Sequence, residues 1–277
     1  MPQTIAALGS FDGLHMGHWA VLQDAQLPAT VCLLFDGLDK SAQLLTTEKR
    51  DALLREAGIE PVVFAFDELQ HLTPAQYVDE VLCAQLHVDG VVCGYNYHFG
   101  AGAAGDADTL RTLCAARGIA CRVVPPVLQA GMPVSATRIR EALRLGDVPT
   151  ANALLGRPFG YDFPVAHGDA RGRTLGYPTA NQFFPEGFLI PRRGVYASRV
   201  TLAGTVYPAM TNIGLRPTYA SPVPLSETHL FGFSGDLYGQ KLPVELLAFI
   251  RDERAFASAE ELTKQLTSDA KQCKARF

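Results

Sequence analysis

Short apolar segments change their spacing once along this chain, near residue 156, and that change restricts the fold more than any one motif does. Before it, strand-like and helix-like patterns alternate. Residues 4–8, 30–35, 61–66, 90–93 and 120–124 read as short buried strands, with helical patterns near 18–25, 47–57, 74–86 and 106–116. The third helix carries its own start signal: Thr73 as N-cap, Pro74 at the first helical position and Gln76 at the third form a capping box. Strands alternating with helices predict an α/β domain on a parallel sheet, with ligands at the carboxyl ends of the strands.

Beyond about residue 161 the pattern becomes one of strands separated by Gly/Pro turns, at residues 161–167, 194–202, 205–211, 226–233 and 242–250. Ala203-Gly204 is a hairpin turn between two of them. Closure into a small β-barrel would remove the exposed edges. Ser258 and Glu261 make a second capping box, starting a last helix that runs to about Lys271. The boundary falls near 156–160, within Leu155-Gly156-Arg157-Pro158-Phe159, which divides the chain into residues 1–156 and 157–277. Each part is long enough for its own core.

The apolar fraction of 48% and charged fraction of 19% are those of a globular protein. A net charge of −4 argues against broad electrostatic binding to nucleic acid or to an anionic membrane. The first residues lack a basic segment followed by an apolar one, and no apolar run approaches the ~18 residues of a membrane span. The six cysteines include no Cys-x-x-Cys pair, so free thiols in a reducing cytoplasm are expected and a zinc site is not.

Two segments carry chemistry. Gly9-Ser10-Phe11-Asp12-Gly13-Leu14-His15-Met16-Gly17-His18 leaves the first strand and enters the first helix, where backbone amides and the helix dipole favour anions. Two imidazoles there suit hydrogen bonds to the α- and β-phosphates of ATP as charge develops, which is positioning and electrostatic catalysis. Val134-Ser135-Ala136-Thr137-Arg138 opens a later helix, with Ser135 as cap and Ser135, Thr137 and Arg138 placed to meet outer phosphates. In the second half, Gly168, Gly172 and Gly176 with Arg171 and Arg173 precede Pro178-Thr179-Ala180-Asn181. Glycines let backbone N–H groups close around phosphate oxygens, and arginines add charge-assisted donors. If 177–181 is extended, Thr179 and Asn181 share a face and offer two neutral oxygens to a Mg2+ ion held on nucleotide phosphates. Pro149-Thr150-Ala151-Asn152 repeats the tetrapeptide in a helical context, where positions 150 and 152 point about 200° apart and form no second site.

The first segment, in its strand–loop–helix setting, resembles the nucleotidyltransferase superfamily. The second, followed by Pro191-Arg192-Arg193-Gly194-Val195-Tyr196, resembles the signature of riboflavin kinases. Over nearly its whole length and in the same order, the chain resembles the bifunctional bacterial FAD synthetases. That resemblance implies a Rossmann-like N-terminal module and a six-stranded barrel kinase module. It implies that ATP phosphorylates riboflavin to FMN and that a second ATP adenylates FMN to FAD. Within it, Ser226-Glu227-Thr228-His229-Leu230 matches the segment whose glutamate is the base, giving Glu227, with packing as the expected role of His229. Gly235-Asp236-Leu237-Tyr238-Gly239 matches the turn that follows. Asn212-Ile213-Gly214-Leu215-Arg216-Pro217-Thr218 is expected as a loop around the flavin, with Arg216 either a flavin contact or a structural arginine. Arg251 either lays its guanidinium against the isoalloxazine or sits in a surface salt bridge.

Two departures from the family pattern fall in the first half. Asp36-Gly37-Leu38-Asp39 stands where the family has Pro-His-Pro, and Asn96-Tyr97-His98-Phe99-Gly100 where it has Asp-Phe-Arg-Phe-Gly. Asn96 is the flavin candidate there, and the loss of an aspartate and an arginine would alter FMN binding. A kinase with an altered adenylyltransferase module and a non-catalytic flavin or nucleotide sensor therefore stand beside the bifunctional reading. The implied partners are riboflavin, FMN, FAD and ATP, with no nucleic acid or membrane, in a cytoplasmic monomer or weak homo-oligomer.

Overall fold

The computed structural model describes residues 4–25, 42–168, 172, 176–215 and 223–277, together with the backbone of 30–36 and 216. It divides into two compact units, Met1–Ala136 and Thr137–Phe277.

In the first unit the elements follow as β1 (Ile5–Leu8), α1 (Met16–Asp24), β2 (Thr30–Asp36), α2 (Thr47–Glu56), β3 (Glu60–Ala65), α3 (Phe66–Leu69), α4 (Pro74–Gln76), β4 (Gly90–Gly94), the hairpin β5 (His98–Phe99) and β6 (Gly105–Asp106), α5 (Ala107–Ala115), β7 (Ala120–Val124), and the hairpin β8 (Leu128–Gln129) and β9 (Met132–Pro133). Five strands form a parallel sheet in the order β3-β2-β1-β4-β7. Successive side chains of a strand leave opposite faces, so Ala6 and Leu8 enter one core while Ala7 enters the other. Both faces are covered, as a parallel sheet requires. The strand order reverses between β1 and β4, which opens a crevice at their carboxyl ends.

The capping box at Thr73 and Gln76 forms as the sequence predicts. The helix it starts is not α-helical throughout: Tyr77–Gln85 winds as a π-helix, with the Leu86 N–H reaching back five residues to Val81 O. The wider turn brings Tyr77, Val78, Val81 and Leu82 together into the core. There the Tyr77 hydroxyl meets that of Tyr97 at 3.2 Å, and burial holds both phenols well above the usual tyrosine range. We expect Tyr77→Phe to destabilise this unit by about 1–2 kcal/mol, because the Tyr97 hydroxyl is left buried without its partner. The Tyr77→Phe/Tyr97→Phe double variant should cost less than the sum of the two singles. Denaturant unfolding followed by the fluorescence of the single tryptophan, Trp19, measures this, and strict additivity would remove the pair from the account.

The second unit begins on α6 (Ala136–Leu145) and α7 (Val148–Leu155). Strands β10 (Phe159–Tyr161), β11 (Ala180–Phe183), β12 (Gly194–Leu202), β13 (Thr205–Arg216), β14 (Val223–Leu230) and β15 (Val244–Arg251) follow, then the C-terminal helix (Ala259–Lys274), capped by Ser258. The sheet is antiparallel in the order β10-β15-β12-β13-β14-β11. The strand expected over 161–167 is broken: β10 pairs with β15, after which only single bridges form, Pro164 to Lys241 and Ala166 to Asn181 of β11. This segment therefore carries one edge strand, β10, and bridges the other, β11, closing the curled sheet, and Pro164, which has no N–H, lies in the stretch beyond the continuous ladder. The loop expected from Asn212 is also corrected. Residues 212–216 continue β13, because Ile213 is buried in the barrel and the whole run pairs with β14.

Candidate functional sites

The loop after β1 is held in an unusual backbone path, with positive φ at Phe11, Gly13 and Leu14 (50°, 82° and 43°). Gly13 has no substitute there, because a Cβ would stand 2.8 Å from Leu44 Cδ1 as well as straining the backbone. The Phe11 ring is buried beneath Gly9 and meets His18 edge-on, with ring centroids 5.2 Å apart. The Asp12 carboxylate accepts the N–H groups of Leu44 (2.9 Å) and Leu45 (3.4 Å), so it ties this loop to the segment that enters α2.

His15 is the N-cap of α1: its Nδ1 accepts the His18 N–H at 3.2 Å. A neutral ring that accepts at Nδ1 carries its proton on Nε2, which leaves that nitrogen as a donor. The two imidazoles are stacked, with centroids 3.6 Å apart and planes 14° from parallel. A Cβ on Gly17 would lie 3.2 Å from the His15 ring and 3.7 Å from Val134 O. The missing side chain thus lets His15 and the segment leading to Ser135 close on the start of α1. Thr137 is exposed and Arg138 half-buried on the first turn of α6. Asn96 is exposed just beyond β4, and its carbonyl accepts from His98 Nδ1 at 3.0 Å.

In the second unit, the register across three neighbouring strands sets Asn181 opposite Glu227 and Glu227 opposite Asn212. Residues directly opposite share a face, so this row carries two amides flanking one carboxylate. Asn181 is buried against Gly168, where a Cβ would collide with its amide, and a Cβ on Gly172 would lie 3.6 Å from Thr179 Oγ1. Asn181 thus packs against Gly168, and the Thr179 hydroxyl lies near Gly172. Gly176 is exposed with a φ of 79°. The side chains of Arg171, Arg173 and Arg216 lie outside the described residues.

No group of three or more His, Cys, Asp or Glu suited to a metal occurs among the described residues. A neutral hydroxyl–amide pair beside Gly168 and Gly172, neither of which has a side chain, fits a Mg2+ ion that arrives on negatively charged phosphates. Beside Thr179 lies a cavity of about 400 Å³ lined by Val165, Thr228, Leu230, Phe233 and Tyr238. The His167 ring stacks on Tyr238 at 4.0 Å near this cavity. On the opposite face from Glu227, buried hydroxyls of Ser198, Thr211 and Thr228 form a chain of 2.7 and 2.9 Å bonds that locks β12, β13 and β14 together beneath the row.

His229, expected only to pack, does more. Its Nδ1 meets Pro178 O at 2.8 Å, while Tyr177 and Phe231 hold the ring edge-on from two sides. Burial lowers its pKa below the usual histidine value despite that bond, so the ring is neutral. Arg251 is committed elsewhere. Its Nε and Nη2 grip the buried Asp269 of the C-terminal helix, with the shortest bond 2.7 Å, in a partly buried salt bridge. Nothing in the local sequence links two residues eighteen positions apart on a strand and a helix. The first Pro-Thr-Ala-Asn copy is helical: the Thr150 N–H is capped by Asp147, and Asn152 bonds Leu246 O and the Phe159 N–H.

Comparisons agree with this division of chemistry. A family model described as FAD synthetase matches residues 1–138, and one described as riboflavin kinase matches residues 155–277. The chain is 33% identical to a bifunctional riboflavin kinase/FMN adenylyltransferase of Bacillus subtilis, covering 96% of this chain and 90% of that protein. It is 34% identical to the protein of the same description from Escherichia coli K12, again covering 96% and 90%. A solved structure described as a macrolide-efflux protein from Streptococcus pneumoniae superposes with a TM-score of 0.88 at 30% identity, covering 99% of this chain and 95% of that one. Among the described residues no helix is long and apolar enough to cross a membrane.

Proposed function

This chain belongs to the bifunctional riboflavin kinase/FMN adenylyltransferase family, and we propose that it makes both flavin nucleotides in turn. Residues 157–277 phosphorylate riboflavin to FMN with ATP, and residues 1–156 adenylate FMN to FAD with a second ATP. The observation that carries the kinase reading is the in-register row of Asn181, Glu227 and Asn212 beside Thr179 and the glycine loop. Glu227 accepts the proton of the riboflavin primary hydroxyl as its oxygen bonds to the γ-phosphorus and the bond to the ADP oxygen breaks. Thr179 and Asn181 would hold Mg2+, whose charge, when bound, offsets that of the phosphates. The loop amides at Gly168, Gly172 and Gly176, with Arg171 and Arg173, cradle those phosphates. The cavity walled by Phe233 and Tyr238 takes the nucleotide.

In the N-terminal half the FMN phosphate is already ionised and needs no base. It attacks the α-phosphorus of ATP, and pyrophosphate leaves. His15 and His18 donate to the phosphates as charge builds, His15 through Nε2. Backbone amides of Gly9, Phe11, Asp12 and Gly13 line the same strand end, and the Asp12 carboxylate holds the loop in shape. Ser135, with Thr137 and Arg138 after it, takes the outer phosphates, and Asn96 approaches the flavin.

Incubation of the full chain with riboflavin, ATP and Mg2+, with products separated over time, tests the reading. FMN should appear first and FAD after it. FMN that never proceeds to FAD would leave a kinase alone, and flavin binding without turnover would make the chain a sensor.

A further inference from the structure

We infer that His229 is a positioning residue for the kinase metal site, acting through the carbonyl of Pro178 to set the direction of the Thr179 hydroxyl. The inference rests on the kinase reading above. The ladder between β11 and β14 ends at the pair Ala180–Thr228. One step further would bring Thr179 opposite His229, but the strand has ended, and the carbonyl of Pro178 lies beyond the last backbone pair. A main-chain acceptor at such a point needs a partner. The His229 ring supplies it at 2.8 Å, and because a carbonyl only accepts, Nδ1 must carry the proton.

That carbonyl belongs to the peptide plane shared with the nitrogen of Thr179. Pinning it fixes the orientation of the Thr179 backbone, and a β-branched side chain has little rotamer freedom left once its backbone is set. The ring itself is held between Tyr177 and Phe231, each with centroids 5.2 Å away. Tyr177 is in turn bonded through its hydroxyl to Thr267 of the C-terminal helix at 3.3 Å, and Lys274 of that helix covers Phe231. His229 also shares its face of β14 with Glu227, two residues away. One strand therefore presents the base and aligns the hydroxyl ligand, which couples the two ends of the phosphoryl transfer mechanically. Partners that orient a metal ligand typically change metal affinity or activity by about 10–100-fold when removed.

The test uses the full chain. His229→Phe keeps an aromatic ring between Tyr177 and Phe231 but removes the donor. His229→Asn places an amide nitrogen near the position of Nδ1 and should restore the bond. Mn2+ titration with ADP, read by paramagnetic resonance, reports metal binding without turnover, and Thr179→Val identifies which bound ion belongs to this site. We expect His229→Phe to weaken that ion about tenfold, and to raise the Mg2+ needed for half-maximal FMN formation by a similar factor. The KM for riboflavin and the rate of FAD formation from supplied FMN should not move. His229→Asn should lie close to wild type in both metal readouts. Wild-type Mn2+ affinity in His229→Phe would overturn the inference, and so would a His229→Asn protein as impaired as His229→Phe. A wild-type chain that makes no FMN would instead overturn the kinase reading itself.

Discussion

Glu227→Gln lowers the rate of FMN formation by about 10²–10⁴-fold, the usual range for removing a positioned general base. FAD formation from supplied FMN continues at the wild-type rate. The substitution is chosen because it changes charge and proton affinity without changing shape. Asn181 and Asn212 remain opposite position 227, and the hydroxyl chain of Ser198, Thr211 and Thr228 still locks the three strands from the other face. Substrate binding should therefore survive, with the KM values for riboflavin and ATP within a few-fold of wild type. A loss in kcat with little change in KM identifies an interaction made only in the transition state. Steady-state kinetics with quantified FMN decides the matter. A Gln protein that keeps more than a fifth of the wild-type kcat would remove Glu227 from the role of base.

The second large effect falls in the other half of the chain. His15→Asn should cut FAD formation by about 10²–10³-fold, the range seen when one donor to a developing oxyanion is lost. His15 has two duties that an alanine would confound, since its Nδ1 also caps α1. Asparagine is a good N-cap and keeps that bond, so stability should change by less than about 1 kcal/mol. The donor at Nε2 disappears. His18→Ala should lower FAD formation to a similar degree, because it removes the stacked second imidazole. FMN formation should be untouched by either. If His15→Asn makes FAD at the wild-type rate, the histidine pair is a helix cap and no more.

Much of this was legible along the chain because it is written in local terms. Caps at Thr73 and Ser258, the alternation of strand and helix, the Gly/Pro-punctuated strands and the helical fate of the first Pro-Thr-Ala-Asn all depend on neighbours a few residues apart. The glycine-rich approach to Thr179 and Asn181 was equally readable, since glycine marks where backbone and side chain come closer than a Cβ allows. The continuation of β13 past Thr211 is not legible in the sequence, because Gly214 and the following proline look like turn chemistry, while pairing with β14 and burial of Ile213 prevail.

The sequence by itself determined the two kinds of domain, the glycine-rich loop in each, and the residue types able to do the chemistry. Only the tertiary structure decided which of them meet. Strand register brings Asn181 to Glu227 over a separation of forty-six positions, and Arg251 goes to Asp269 rather than standing free. It also gives His229 the Pro178 carbonyl and Asp12 the Leu44 and Leu45 amides. The physical reason is one of range. Propensity, capping and periodicity act over a turn or a few residues of strand, whereas register and ion pairing depend on which distant segments share a buried face. A shift of one residue would have turned Glu227 away from Asn181 altogether.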